Sequence, residues 1–219
     1  MQARSRQAAG ATRRLSKATV TISTRTRGYL PHWESVDAVY FVTFRLADSL
    51  PQNLLKELRA EQEMLGNALE AAAGVQRDRA RQEKIRAFLR KAEACLDSGL
   101  GKCYLQDPRV AKMVADALRR SHGDRYTLLA WCIMPNHVHV LFSLQKGLAL
   151  HTVMHSWKSY SAKEANRLLG RTGPFWQREY FDHLVRSEPS LQRITNYILE
   201  NPQKAGLSSW PWVEALRSP

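Results

Sequence analysis

The chain has 219 residues, 44% of them hydrophobic, and its 33 Lys and Arg against 20 Asp and Glu give a formal charge of +13 and a pI near 10.1. No apolar run approaches the ~18 residues that would span a bilayer, and Cys95, Cys103 and Cys132 form no C-x-x-C arrangement, which argues against a disulfide framework or a zinc ribbon and for a reducing compartment. A core of one domain with so basic a balance points to a polyanionic partner: nucleic acid first, an anionic membrane surface second.

Residues 1 to about 27 are Arg-rich and contain no acid, the composition of a disordered basic arm, and the folded domain is expected over 28–219. "AVYFVTFRL" (38–46) is β-branched and aromatic and predicts the first strand. From about 51 to 98 apolar residues recur at helical spacing (Leu54, Leu55, Leu58, then Ile85, Phe88, Leu89) with a break near Gly74, which predicts an inserted helical hairpin. A helix follows with Asp107 as its N-cap and Pro108 at its first position, ending at Gly123. "RYTLLAWCIM" (125–134) and "HVHVLFSL" (137–144), separated by Pro135 and Asn136, read as adjacent antiparallel strands. An amphipathic helix over 148–170 ends at Gly170, a short strand is expected at 180–186, and "SLQRITNYILENP" predicts a last helix that Pro202 stops. The aromatic tail "AGLSSWPWVEAL" is expected to pack on the body. Apart from the insertion the order is strand, helix, strand, strand, helix, strand, helix. That is an α+β fold on the ferredoxin-like βαββαβ plan, an antiparallel sheet with helices on one face and a C-terminal helix that carries the candidate chemistry.

"MPNHVHVLF" (134–142) puts His137 and His139 on one face of a strand and Val138 and Val140 on the other. Alone, such a pair is either part of a metal site or two polar residues tolerated at a sheet surface. In "NYILENP", Tyr197 and Asn201 stand at i and i+4 and share one helix face. Two imidazoles with an amide or carboxylate oxygen suit a hard divalent cation, Mg²⁺ or Mn²⁺, better than a closed zinc site. A phenol beside that cation is a competent nucleophile, provided its surroundings activate it, because its ordinary pKa is near 10.

These blocks, with "RGYLPHWESVDAVYFVTFRLADSLP", "GPFWQREYFDHLVR" and "YILENPQKAGL", resemble the HUH-type single-tyrosine transposases, in particular the REP-associated tyrosine transposases, over about residues 27 to 212. The resemblance implies that His137 and His139 bind the divalent metal, that Tyr197 is the nucleophile and that Asn201 supplies a third ligand. Related insertion-sequence transposases carry Gln at that last position. It further implies a single-strand endonuclease and strand transferase that nicks and rejoins hairpin-bearing DNA with REP-like palindromes through a 5′-phosphotyrosine. The implied setting is the bacterial cytoplasm, close to the nucleoid and away from membranes, with monomer and homodimer both open.

Tyr180 and Tyr160 compete with Tyr197 as nucleophile, but Tyr180 opens a strand beside Trp176 and Tyr160 has no oxygen ligand at i+4. Lys158, Trp176, Arg178, Arg186 and Arg193 are the candidate DNA-binding residues, with Arg171 a further arginine near the active helix; Trp176 reads first as core and second as a stacking platform. His151 and His155 share a helix face, yet lack the neighbouring Glu of an H-E-x-x-H site. A non-cleaving single-stranded DNA- or RNA-binding protein is the alternative that the basic charge and the expected sheet would also serve.

Overall fold

The computed structural model describes residues 23–27, 30–34, 38–49 and 101–216. The predicted hairpin at 51–98 and most of the predicted arm lie outside them. The last five residues assigned to the arm form a strand, β1 (Ser23–Arg27), paired antiparallel with β2 (Leu30–Glu34).

The main sheet has five strands: β3 (Val39–Arg45), β4 (Tyr126–Ile133), β5 (His137–Leu144), β6 (Phe181–Val185) and β7 (Val213–Ala215). They lie in the order β6-β3-β5-β4-β7, every pairing antiparallel. The first four are the ferredoxin-like sheet that the sequence predicts, and β7, from the aromatic tail, adds an edge strand. Among the described residues three α-helices accompany it: α1 (Pro108–Arg119), α2 (Leu150–Leu168) and α3 (Glu188–Lys204). Asp107 caps α1 as expected, accepting from the Arg109 amide at 2.9 Å.

The sheet is apolar on both faces, and this departs from the expectation of helices on one side. Tyr40, Val42, Phe44, Val138, Val140 and Phe142 face a cluster completed by Val110, Val114 and Leu118 of α1 and Val153, Met154 and Trp157 of α2. Val39, Phe41, Ala130, Cys132 and Leu141 face the other way, where Ile198, Ile194, Leu191 and Tyr197 of α3 cover them. A bulge between Leu128 and Ala130 changes which residues of β4 point to each face and aligns Cys132 with His139. Helix α3 does not stop at Pro202 but runs to Lys204. The proline removes one N–H donor, yet it is buried and the turn closes around it, with the Ala205 amide donating to Asn201 O at 3.0 Å and the Leu207 amide to Pro202 O at 2.8 Å.

The ends of the undescribed insertion meet at Gly101. Its φ is +91°, and a Cβ added there would lie 2.6 Å from the backbone oxygen of Asp48, whose carboxylate accepts from the Lys102 amide at 3.1 Å. Gly101→Ala therefore combines left-handed strain with a backbone clash, and we expect a loss of about 2 kcal/mol, seen as a Tm several degrees lower in calorimetry. An unchanged Tm would mean that the two ends of the insertion are not clamped this way.

Candidate functional site

Strands β3 and β5 place the site by register: Thr43 lies opposite His139 and Arg45 opposite His137. Residues directly opposite each other in an antiparallel pair project from the same face, so both histidines share the α3 side of the sheet with Phe41 and Leu141. His137 and His139 are 1% and 0% exposed, and their Nε2 atoms stand 3.0 Å apart. The Nδ1 of His137 donates to Asn136 Oδ1 at 2.7 Å, since an amide oxygen can only accept. The Nδ1 of His139 is 2.8 Å from Thr43 Oγ1, which can accept or donate. With both Nδ1 atoms engaged, the two Nε2 atoms are turned toward a common point. Burial pushes the His139 pKa down to about 3 and that of His137 well below its ordinary value, helped by the charges of His139 and Arg45. Both rings are therefore neutral at physiological pH, the form that binds metals.

The last helix brings its two predicted residues to the same face. Tyr197 Oη is 3.4 Å from His139 Nε2, and its ring meets Phe41 and His139 edge-on at 6.0 and 5.3 Å. Phe41 also stacks on His139, with centroids 5.6 Å apart. One turn on, Asn201 is 2% exposed, and its Oδ1 is buried without a hydrogen-bond partner. A lone buried amide oxygen costs about 1–3 kcal/mol, a penalty that a coordinated cation would remove.

The donors fit a hard divalent ion. Two nitrogens at roughly 2.1 Å from an octahedral cation, at a right angle, stand about 3 Å apart, which is the Nε2 separation found here. Among the described residues no group of three His, Cys, Asp or Glu could hold a metal. Among the described residues, a third protein ligand at this centre would be an oxygen of another kind, and Asn201 has one unpartnered.

The other sequence candidates fall elsewhere. Tyr180 packs against the cluster on the opposite face of the sheet, with Lys158 Nζ 5.6 Å from its ring centroid. Tyr160 is exposed, and the Arg120 guanidinium lies 5.4 Å above its ring. Trp176 is a core residue and offers no face for stacking on a base: it is 6% exposed, packs edge-on against Phe44 and donates its indole N–H to Ser161 Oγ at 2.9 Å. Lys158 donates to the backbone oxygens of Gln177 and Arg178, both at 2.7 Å, and burial lowers its pKa to about 8. It anchors the segment before β6. Arg171 lies over Tyr104 and Phe175 and donates to Pro174 O at 3.0 Å. Arg178 before β6, Arg186 just before α3 and Arg193 on α3 itself are exposed. His151 and His155 line a cleft of about 760 Å³ between α2 and residues 173–180.

Thr43, Asn136, Phe41 and Arg45 are the site residues that sequence reasoning missed. The period-2 alternation of "FVTFR" does put Phe41, Thr43 and Arg45 on one face, but nothing local to that strand says that His139 is its neighbour.

Two outcomes follow from this geometry. Thr43→Val keeps the shape of the side chain and removes the partner of His139 Nδ1; we expect a folded protein whose Mn²⁺ affinity falls about 10- to 100-fold, measured by calorimetric titration. Because the folded state holds both histidines neutral, only the unfolded chain takes up their protons below pH ~6.5. Stability contributed here is complete above that pH and declines below it by about 1.4 kcal/mol per pH unit for each histidine. Urea denaturation at pH 7 and pH 5 should show the decline in the wild type and a shallower one in His139→Asn; equal slopes would mean that the pair is not buried neutral.

Residues 105–201 match the family model described as "Transposase IS200 like". A Haemophilus influenzae protein named as a candidate REP-associated tyrosine transposase is 27% identical over 101 residues, 40% of this chain and 57% of the relative. The REP-associated tyrosine transposase of Escherichia coli is 26% identical over 106 residues, 46% of this chain and 62% of the relative. The matched region thus spans less than two thirds of either curated relative. A solved REP-associated tyrosine transposase, bound to a REP hairpin, aligns over 87% of this chain and 81% of its own with 18% identity and a TM-score of 0.43. His137, His139, Tyr197 and Asn201 all lie inside the matched segment, over which the chain is similar to the IS200-like transposases and to the REP-associated tyrosine transposases.

Proposed function

We propose that the chain nicks and rejoins single-stranded DNA, with Tyr197 as nucleophile and a divalent cation, Mg²⁺ or Mn²⁺, held by His137, His139 and Asn201. The observation that carries this reading is the approach of Tyr197 Oη to 3.4 Å from His139 Nε2, whose own neighbour, His137 Nε2, is 3.0 Å away; Asn201, one helical turn after Tyr197, has a buried oxygen without a partner. The cation, when bound, would polarise a phosphodiester oxygen and offset the charge of an in-line displacement.

The steps performed by the chain's own groups balance simply. Tyr197 Oη forms a bond to phosphorus, the bond from phosphorus to the 3′-oxygen of the upstream nucleotide breaks, and the phenol proton ends on that oxygen. The products are a 5′-phosphotyrosine and a free 3′-hydroxyl, and reversal with another 3′-hydroxyl rejoins the strand. Because the ester energy is conserved in the phosphotyrosine, no ATP is consumed. Phe41 fixes the approach of the phenol by packing against both Tyr197 and His139. Hairpin-bearing DNA with REP-like palindromes is the substrate in keeping with the name the curated relatives share. Exposed Arg178, Arg186 and Arg193 would meet its backbone. A bacterial, nucleoid-associated setting suits that substrate, and no helix among the described residues is long and apolar enough to cross a membrane.

The test is a labelled single-stranded oligonucleotide carrying a hairpin, incubated with the protein and Mg²⁺ and resolved under denaturing conditions. A covalent adduct is expected with wild type and Tyr180→Phe, and none with Tyr197→Phe. An adduct that survives Tyr197→Phe and disappears in Tyr180→Phe would refute the assignment, and binding without an adduct on any hairpin would favour a non-cleaving DNA-binding protein.

A further inference from the structure

Arg45 ends β3 directly opposite His137, on the face that carries both histidines. Its backbone is fixed on the far side, where the Gln177 amide donates to Arg45 O at 2.9 Å. The side chain is largely buried, and its Nε has no hydrogen-bond partner. Burial lowers its pKa to about 10, so it stays cationic at neutral pH; Glu179 is the acid that opposes the shift. Lys158 and His137 also feel its charge. A guanidinium in this position is costly: it is desolvated, one donor is unused, and it acts on the neutral His137 imidazole and on Lys158.

What its Nε lacks is an acceptor oxygen. A phosphodiester supplies one negative charge and the oxygens that a guanidinium matches. The strand also orders the site. Along β3, Phe41 touches the Tyr197 ring, Thr43 touches His139, and Arg45 pairs with His137, each two residues or about 6.7 Å further on. Arg45 therefore lies beyond the histidines on the side away from Phe41 and the nucleophile's ring. In an in-line displacement the leaving oxygen departs on the side opposite the attacking one.

We propose that Arg45 binds a phosphate of the substrate strand on the leaving-group side, either the scissile phosphate or the one immediately 5′ to it. The inference rests on the proposed strand-cleaving function, and it assigns to Arg45 direct contact with the DNA backbone. The unpartnered Nε and one terminal nitrogen would receive the two phosphate oxygens, and the phosphate would in turn screen Arg45 from the cation held by the histidines.

The experiment is a coupling measurement. The scissile position is mapped from the length of the product released by the wild-type adduct reaction. Hairpin oligonucleotides then carry a single neutral methylphosphonate at the scissile position, one position 5′ or one position 3′, and their affinities for wild type, Arg45→Gln and Arg45→Lys are read by fluorescence anisotropy. Arg45→Gln is expected to weaken binding of the unmodified strand roughly tenfold or more. A methylphosphonate at the scissile or 5′ position should weaken wild type similarly but Arg45→Gln no further, while the 3′ modification should act on both alike. Arg45→Lys keeps the charge without the fork and should show an intermediate loss with coupling at the same position; it also serves if Arg45→Gln does not fold. Unchanged affinity in the variants, additive losses at every position, or coupling only at the 3′ position would overturn the proposal. If wild type forms no adduct, the cleavage reading fails, and the coupling is still read by scanning methylphosphonates along the strand, where its absence at every position would overturn the Arg45 contact.

Discussion

Two imidazole nitrogens stand 3.0 Å apart inside a sheet, nearly without solvent exposure, and much of the surrounding structure keeps both of them neutral and aimed at one point. Burial disfavours protonation, while Asn136 and Thr43 occupy the outer nitrogens, so the inner pair is left for a ligand. The pairing of β3 with β5 is what supplies Thr43, and the hairpin turn before β5 supplies Asn136. Thr43 thus stands on a central strand and Asn136 in the short turn that joins β4 to β5. Helix α3 then brings Tyr197 and Asn201 across the same face, and its apolar residues Leu191, Ile194 and Ile198 fasten it to the sheet.

Charge is distributed to match. The chain carries a formal +13, yet the described partners of the histidines, Phe41, Thr43, Asn136 and Tyr197, are neutral side chains, with Arg45 opposite His137. Exposed arginines on α3 and on the segments before it can attract a polyanion from solution without perturbing the pair, since exposed charges are screened within about a Debye length. Lys158 belongs to a different economy: its ammonium is spent on two backbone oxygens, so it shapes the segment before β6 and leaves long-range attraction to the surface arginines.

The sequence was most legible where one side chain decides local structure. Asp107 with Pro108 marks the start of α1, the Pro135-Asn136 turn separates β4 from β5, and the i, i+4 relation of Tyr197 and Asn201 survives intact in α3. Three features were not legible, each for a physical reason. A strand such as "VYFVTFR" is apolar on both faces, which signals a sheet covered on both sides, but it does not name the helix that covers the second face. Pro202 usually stops a helix, and here burial against the body outweighs one lost hydrogen bond. The short edge strand β7 has no periodicity of its own and exists because β4 offers an open edge, with Glu214 joined to Arg119 and to the Trp131 indole. Trp176 shows the same limit from the other side: an indole near a basic segment can be core or platform, and only its Ser161 and Phe44 contacts decide for core.

The chemistry proposed for this fold depends on one divalent ion meeting two imidazoles. Pulsed electron paramagnetic resonance of the protein loaded with Mn²⁺ reads this directly, because histidine nitrogens bound to the ion modulate the electron spin echo. Modulation from two histidine nitrogens in wild type, reduced to one in His137→Asn and in His139→Asn, is the result the geometry predicts. Bound Mn²⁺ showing no histidine nitrogen coupling, or coupling that survives both substitutions, would contradict a metal centre at His137 and His139.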